Sequence, residues 1–136
     1  EQGYKVHFQR TRVKPGSPLM IAEKSGKLFI GMPGYPAAFA SNLHFYIVPA
    51  LRKSMGMGDY ENRMHEVTLA TRFKPRKGRT DICRAVIKSE DGKLFASDPG
   101  QMTSHFNNFA YVNGFIIFDD DTDKGEKGDA VKGFLI

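Results

Sequence analysis

Three groups of residues in this 136-residue chain have types and spacings suited to chemistry. The first is Pro33-Gly34-Tyr35-Pro36, which separates the strand-like run Lys27–Gly31 from a helical pattern. A helix that starts there presents unsatisfied N–H groups and the positive end of its dipole, and both favour a phosphate or another oxyanion. Gly34 allows close backbone approach, and the two prolines leave little ordering entropy to lose on binding. The loop has no Gly-Lys-Ser/Thr ending, so it suits a rigid connection without a ligand equally well. The second group is the basic run from Arg72 to Arg84, in which Arg72, Lys74, Arg76, Lys77, Arg79 and Arg84 face one acid, Asp81. The third is Ser104-His105 with Thr103, Asn107 and Asn108, a cluster of hydroxyl and amide groups with no third catalytic partner. It reads as a polar loop or as a ligand contact.

Other candidates carry less. His7, His44, His65 and His105 lack the short spacings of a zinc cage, so no metal site is expected. Cys83, the lone cysteine, sits in a strand-like run and reads as a buried structural thiol; a single cysteine fits a reducing, cytoplasmic setting. Asp119, Asp120, Asp121 and Asp123 lack the ligand spacing and final Glu of a calcium loop and read as a solvated turn. A net charge of +5 and a pI near 9.4 invite nucleic acid. The acidic cluster tempers that reading, and a small anion suits the basic run at least as well. No apolar run approaches the length needed to cross a bilayer. The chain opens on Glu1 with no signal-peptide pattern, so a piece whose remainder lies upstream is expected.

These residues need elements to position them. Tyr4 to Val13 alternates loosely and predicts a strand ending at Lys14-Pro15-Gly16-Ser17-Pro18. Leu19–Ala22 and Lys27–Gly31 flank Ser25-Gly26 as a hairpin. Phe39, Leu43, Tyr46, Ile47, Ala50 and Leu51 then fall on one helical face; Pro36 suits the first turn, and Pro49 predicts a kink. From Met64 the pattern predicts five short strands, Met64–Phe73, Thr80–Ser89, Lys93–Ser97, Ala110–Phe118 and Ala130–Leu135, with a tight turn at Glu90-Asp91-Gly92. Such spacing predicts a small antiparallel barrel or sandwich. The expected fold class is mixed. Residues 1–53 form the C-terminal remnant of an α/β domain, and residues 54–136 form a small all-β, barrel-like domain.

Certain runs match a known family. Lys5-Val6-His7-Phe8, Val13-Lys14-Pro15-Gly16-Ser17-Pro18, Phe29 to Pro36 and Val48-Pro49-Ala50-Leu51-Arg52-Lys53 occur in an order and spacing that resembles the MoeA/gephyrin E-domain family of molybdopterin molybdenumtransferases. Gly78-Arg79-Thr80-Asp81 with Arg84, and Ser104-His105 followed by Asn113 to Ile117, are similar to its C-terminal barrel. The likeness covers the whole chain and only the C-terminal third of such a protein.

The resemblance implies that residues 1–53 end a MogA-like α/β domain completed by a partner subunit. It further implies a parent that inserts molybdate into adenylylated molybdopterin with magnesium, as a homodimer and with a MogA-like adenylyltransferase as a further partner. Carried over to this chain, Lys14, Pro15, Pro33, Gly34 and Pro36 would line the anion pocket. Arg79 and Ser104 would reach it from the barrel, Arg79 gripping the oxyanion with its fork so that its loss spares stability. No catalytic residue and no metal ligand is expected among these 136 residues, so this stretch alone should be inactive. Tyr35 and Ala38 stand where the family usually carries Asn and a small polar residue. The alternatives are a small basic barrel binding nucleic acid through Arg72 to Arg84, and a scaffold module that docks a protein partner. Membrane association is not expected, and nucleic acid is the weaker reading because the basic run has no interleaved stacking rings.

Overall fold

The N–H and C=O groups on both edges of each strand need partners, and the chain supplies them by closing a barrel. The computed structural model describes residues 3–101 and 106–136. Strands β5 (His65–Leu69), β6 (Thr80–Glu90), β7 (Lys93–Ser97), β8 (Gly114–Phe118) and β9 (Ala130–Leu135) follow the order β6-β7-β5-β9-β8, and β8 returns to pair with β6. All neighbours are antiparallel except β5 and β7, which run parallel. Closure removes the sheet edges that would otherwise invite association. The turn between β6 and β7 has Asp91 and Gly92 at positive φ, the signature of a two-residue hairpin. The expected strand at Ala110 to Phe118 begins only at Gly114, because Phe106–Tyr111 is a 3-10 helix.

The barrel is filled by every second residue. Cys83, Ala85 and Ile87 of β6 meet Val67 and Leu69 of β5 and Ile116 of β8 inside it. Some of the intervening positions are buried as well. Ile82, Phe115 and Phe134 point to the outer wall, where Val13 and the rings of Phe45 and Tyr46 cover them. Two buried faces explain the unbroken run Phe115-Ile116-Ile117-Phe118. Asn113 extends the ladder with its side chain: its Nδ2 donates to the Ile87 carbonyl (2.8 Å), and its Oδ1 accepts from the Ile87 N–H (2.7 Å).

The expected strand Tyr4 to Val13 is two strands in two sheets. Strand β1 (Lys5–Phe8) pairs with β3 (Met20–Lys24), which pairs with β4 (Lys27–Gly31) in an antiparallel ribbon. After a bulge near His7 the chain leaves the ribbon, and β2 (Val13–Lys14) joins β6 in parallel. Burial of Val13 against the barrel wall is the physical cause. The ribbon hairpin turns through Ser25 and Gly26, both at positive φ.

The helix also differs from its predicted form. It runs from Pro36 to Ser54 as α1 (Pro36–Asn42), a π turn over Leu43–Ile47, and α2 (Val48–Ser54). Pro49 has no N–H, and its ring would clash with the Phe45 carbonyl in a regular helix. Widening the preceding turn relieves this, and the Val48 N–H bonds the Leu43 carbonyl instead. The wide turn shifts the helical faces. Phe39 and Leu51 are 45% and 54% exposed, while Ala37, Ala38, Ser41, Asn42 and Ile47 are buried. The carbonyl of His44, deprived of a donor at Pro49, accepts Asn62 Nδ2 at 2.8 Å. Asn62→Ala is therefore expected to cost about 1–2 kcal/mol by leaving a part-buried acceptor unpaired, measurable as a lower urea midpoint. Among the described residues no helix is long and apolar enough to cross a membrane.

Candidate functional site

Parallel pairing of β2 with β6 sets Lys14 in register with Asp81 and brings the Lys14-Pro15-Gly16 loop to the rim of the barrel. The Lys14–Pro15 peptide is cis. Behind it, the buried side chain of Asn42 donates from Nδ2 to the Gly16 carbonyl at 3.0 Å, tying the loop to the helix. A cleft of about 220 Å³ opens where loop, helix and barrel meet. Lys14 and Pro15 line it from the loop and Ala37 from the first turn of the helix. Lys74, Arg79 and Arg84 line it from the barrel side, with Asp81 as the one carboxylate.

The cations differ in how they are held. Arg79 Nε donates to Asp81 Oδ1 at 2.7 Å, and its Nη2 lies 3.4 Å from Oδ2. The Arg76 N–H also bonds Oδ2, at 2.8 Å. One edge of the Arg79 fork is thus engaged by a carboxylate that is only 8% exposed. Arg84 is 1% exposed; its Nη2 donates to the Gly100 carbonyl at 2.9 Å, and its guanidinium lies over the Phe109 ring, 4.6 Å from the centroid. Burial lowers the Arg84 pKa, and the neighbouring Asp98 offsets part of that shift. Gln101 clasps the Arg84 backbone, accepting from its N–H at 3.2 Å and donating to its carbonyl at 2.8 Å. Burial pushes the Cys83 thiol up to about 12, with Asp81 and Asp98 adding to the rise, so it is neutral and a poor nucleophile.

The structure therefore brings Lys14, Pro15 and Arg79 of the expected set together. Pro33, Gly34 and Pro36 do not line the cleft. Pro36 opens the helix, and only the next residue, Ala37, reaches the lining. Tyr35 is 70% exposed and makes no side-chain cap, while Ala38 is buried. Ser104 and His105 lie outside the described residues. The sequence alone points to no site role for Lys74, one base among six, or for Gln101. The signal for Lys74 was its place between Phe73 and Pro75, apolar neighbours that the fold buries.

The basic run is not a continuous stripe. Arg72 Nε lies 3.4 Å from Glu126 Oε1, and Lys77 Nζ lies 3.7 Å from Asp123 Oδ2. Acids of the 119–126 loop thus neutralise bases outside the cleft, while those inside it keep an excess of positive charge. Magnesium does not fit this cleft. A hard divalent cation needs several oxygen ligands, and both oxygens of the one lining carboxylate are already bonded to Arg79 and Arg76. Among the described residues no three His, Cys, Asp or Glu side chains converge on a metal-sized centre. A wider groove, about 680 Å³, crosses β5, β9 and the end of β8, but Glu66, Asp119 and Asp129 there outnumber Lys124 and Lys132. Of these two, the smaller cleft is the one with positive charge in excess.

The chain is similar to proteins of one kind. It is 27% identical over 135 residues to the molybdopterin molybdenumtransferase of Bacillus subtilis, covering 98% of this chain and 31% of that protein. It is 30% identical over 103 residues to the molybdenum cofactor synthesis protein cinnamon of Drosophila melanogaster, covering 74% of this chain and 17% of that one. Among solved structures, the molybdopterin biosynthesis MoeA protein of Pyrococcus horikoshii superposes with a TM-score of 0.76 at 21% identity, over 96% of this chain and 32% of its own. The chain spans less than a third of each of these three proteins. Its closed barrel and helix reproduce the MoeA fold. Residues 66–135 match the sequence model described as the MoeA C-terminal region (domain IV), and the chain belongs to that family of molybdenum cofactor biosynthesis proteins.

Proposed function

We propose that this chain supplies one wall of the oxyanion site in a molybdopterin molybdenumtransferase, whose parent inserts molybdate into adenylylated molybdopterin. In this reading residues 1–53 are the end of a MogA-like α/β domain and residues 54–136 the C-terminal barrel. The observation that carries it is the cleft itself, where Lys14, Lys74, Arg79 and Arg84 meet a single, already engaged carboxylate. Its volume of about 220 Å³ suits a tetrahedral oxyanion with its waters or a terminal phosphate, and is too small for most drug-sized organic ligands. The fixed backbone on either side of Lys14 supports the same reading, because a loop already in place loses little entropy on binding.

The chain's own residues do a limited part of the chemistry. Lys14 and the free edge of Arg79 hold oxygen atoms of the anion, and buried Arg84 adds positive potential from behind. The Cys83 thiol in the cleft lining, pushed up to about 12 by burial, gives no proton at neutral pH. The steps of adenylate cleavage, the magnesium they use and the homodimer belong, in this proposal, to groups other than these. Nucleic acid is the weaker alternative, since Arg72 and Lys77 are paired with acids where a backbone-tracking protein would leave them open.

The test is the molybdate dependence of the parent enzyme with adenylylated molybdopterin. Lys14→Ala is expected to lower kcat/KM for molybdate by about 10- to 100-fold, the loss of a charge-assisted hydrogen bond. Lys127→Ala, outside the cleft, should leave it unchanged. The 136-residue chain alone should show no turnover. Equal values for the Lys14 and Lys127 variants would remove the cleft from the reaction.

A further inference from the structure

We propose, resting on the oxyanion reading of the cleft, that Lys74 is its second free cationic arm and that Lys14 and Lys74 together select doubly charged tetrahedral oxyanions. Both lysines hang from fixed backbone. The Phe73 N–H donates to the Gly125 carbonyl at 2.8 Å, and the Gly125 N–H returns a bond at 3.2 Å. Phe73 and Pro75 are buried on either side of Lys74. Lys14 is held by the β2–β6 pairing on one side and by the Asn42 bond to Gly16 on the other.

The charges of the neighbouring bases are accounted for differently. Arg79 is hydrogen-bonded to Asp81, while Arg72 and Lys77 lie 3.4 and 3.7 Å from the carboxylates of Glu126 and Asp123. Among the described residues Lys14 and Lys74 take part in no ion pair, yet both line one cleft of about 220 Å³. In this proposal the two ammonium groups turn into that cleft, where charges within a Debye length of about 10 Å at 0.1 M salt act on one another. Convergence of like charges beside an apolar wall is unfavourable in the empty cleft and is relieved most by a ligand carrying two negative charges. Ammonium groups on flexible stems bind a tetrahedral anion without demanding the planar match that an arginine fork requires.

Calorimetric titration of the intact protein with sodium molybdate, sulfate and perchlorate at 0.1 M salt tests this. The wild type should bind molybdate and sulfate at least 10-fold more tightly than perchlorate. Lys74→Gln should weaken molybdate binding 5- to 20-fold and narrow the gap to perchlorate, whereas Lys77→Gln, at a residue that does not line the cleft, should stay within twofold. The Lys74 side chain is exposed, so the fold should be retained; an unchanged circular dichroism spectrum and urea midpoint check that. If molybdate binds, weakens with Lys14→Gln and is unaffected by Lys74→Gln, the role of Lys74 is overturned while the cleft stands. If molybdate binding is absent in the wild type, both fail.

Discussion

Gly16→Ala is expected to destabilise the protein by about 3 kcal/mol, a value typical of backbone strain compounded by a buried clash. Gly16 has φ +112°, a conformation that L side chains rarely adopt, and a Cβ there would lie 2.8 Å from Cγ of the buried Asn42 carboxamide. Neither side can yield without breaking the bond from Asn42 Nδ2 to the Gly16 carbonyl. The same substitution would move Lys14 and Pro15 out of register, so anion binding should fall together with stability. Asn42→Ala on its own loses that bond but opens space, so the Gly16→Ala/Asn42→Ala double variant should be less damaging than the sum of the two. Urea unfolding of the four proteins measures this. By comparison Gly26→Ala, with open space around its Cβ position, should show only the cost of its positive φ. Equal costs at Gly16 and Gly26 would mean that the loop is not held by Asn42.

Arg79→Ala should lower stability by about 2 kcal/mol, because it leaves a buried carboxylate with the Arg76 N–H as its remaining partner. This departs from the expectation drawn from sequence, in which Arg79 reached freely across the cleft and its loss spared the fold. The guanidinium is 30% exposed, so water offsets part of the loss and the value lies below that of a fully buried pair. Removing both charges is gentler than removing one, so Arg79→Ala/Asp81→Ala should recover stability relative to Arg79→Ala alone. The side chain of Arg76, which is exposed, should tolerate replacement by Ala with a change under about 0.5 kcal/mol. Denaturation midpoints separate these outcomes. An Arg79→Ala protein as stable as the wild type would show that the pair is screened by solvent and contributes nothing to the fold.

Much of the barrel was legible because its signals are local. The Asp91-Gly92 and Ser25-Gly26 turns, and the alternation of β6, are read within a few residues. The division of residues 4–14 between two sheets was not, because it depends on Val13 finding Ile82, Phe115 and Phe134 far along the chain. The buried face of the helix was misjudged for a different reason. Counting at 3.6 residues per turn assumes a regular helix, and the wide turn before Pro49 rotates α2 relative to α1. At the site, the Arg79–Asp81 pair was readable in principle, since residues two apart on an extended chain share a face. The pairing of Arg72 with Glu126 and of Lys77 with Asp123 was not, being set by how the 119–126 loop folds back. The role of Lys74 is hidden for a related reason, because its place in the cleft depends on how the barrel brings it opposite Lys14 and Pro15.

Crystals of the intact protein soaked in molybdate, with diffraction recorded near a molybdenum absorption edge, would locate the anion directly. The strongest anomalous peak should lie in the 220 Å³ cleft, with oxygen atoms within about 3 Å of Lys14 Nζ and of the Arg79 edge that does not face Asp81. A principal peak in the 680 Å³ groove beside Lys124 and Lys132, or no bound molybdate while the cleft is open to solvent, would contradict the assignment of this cleft as the oxyanion site.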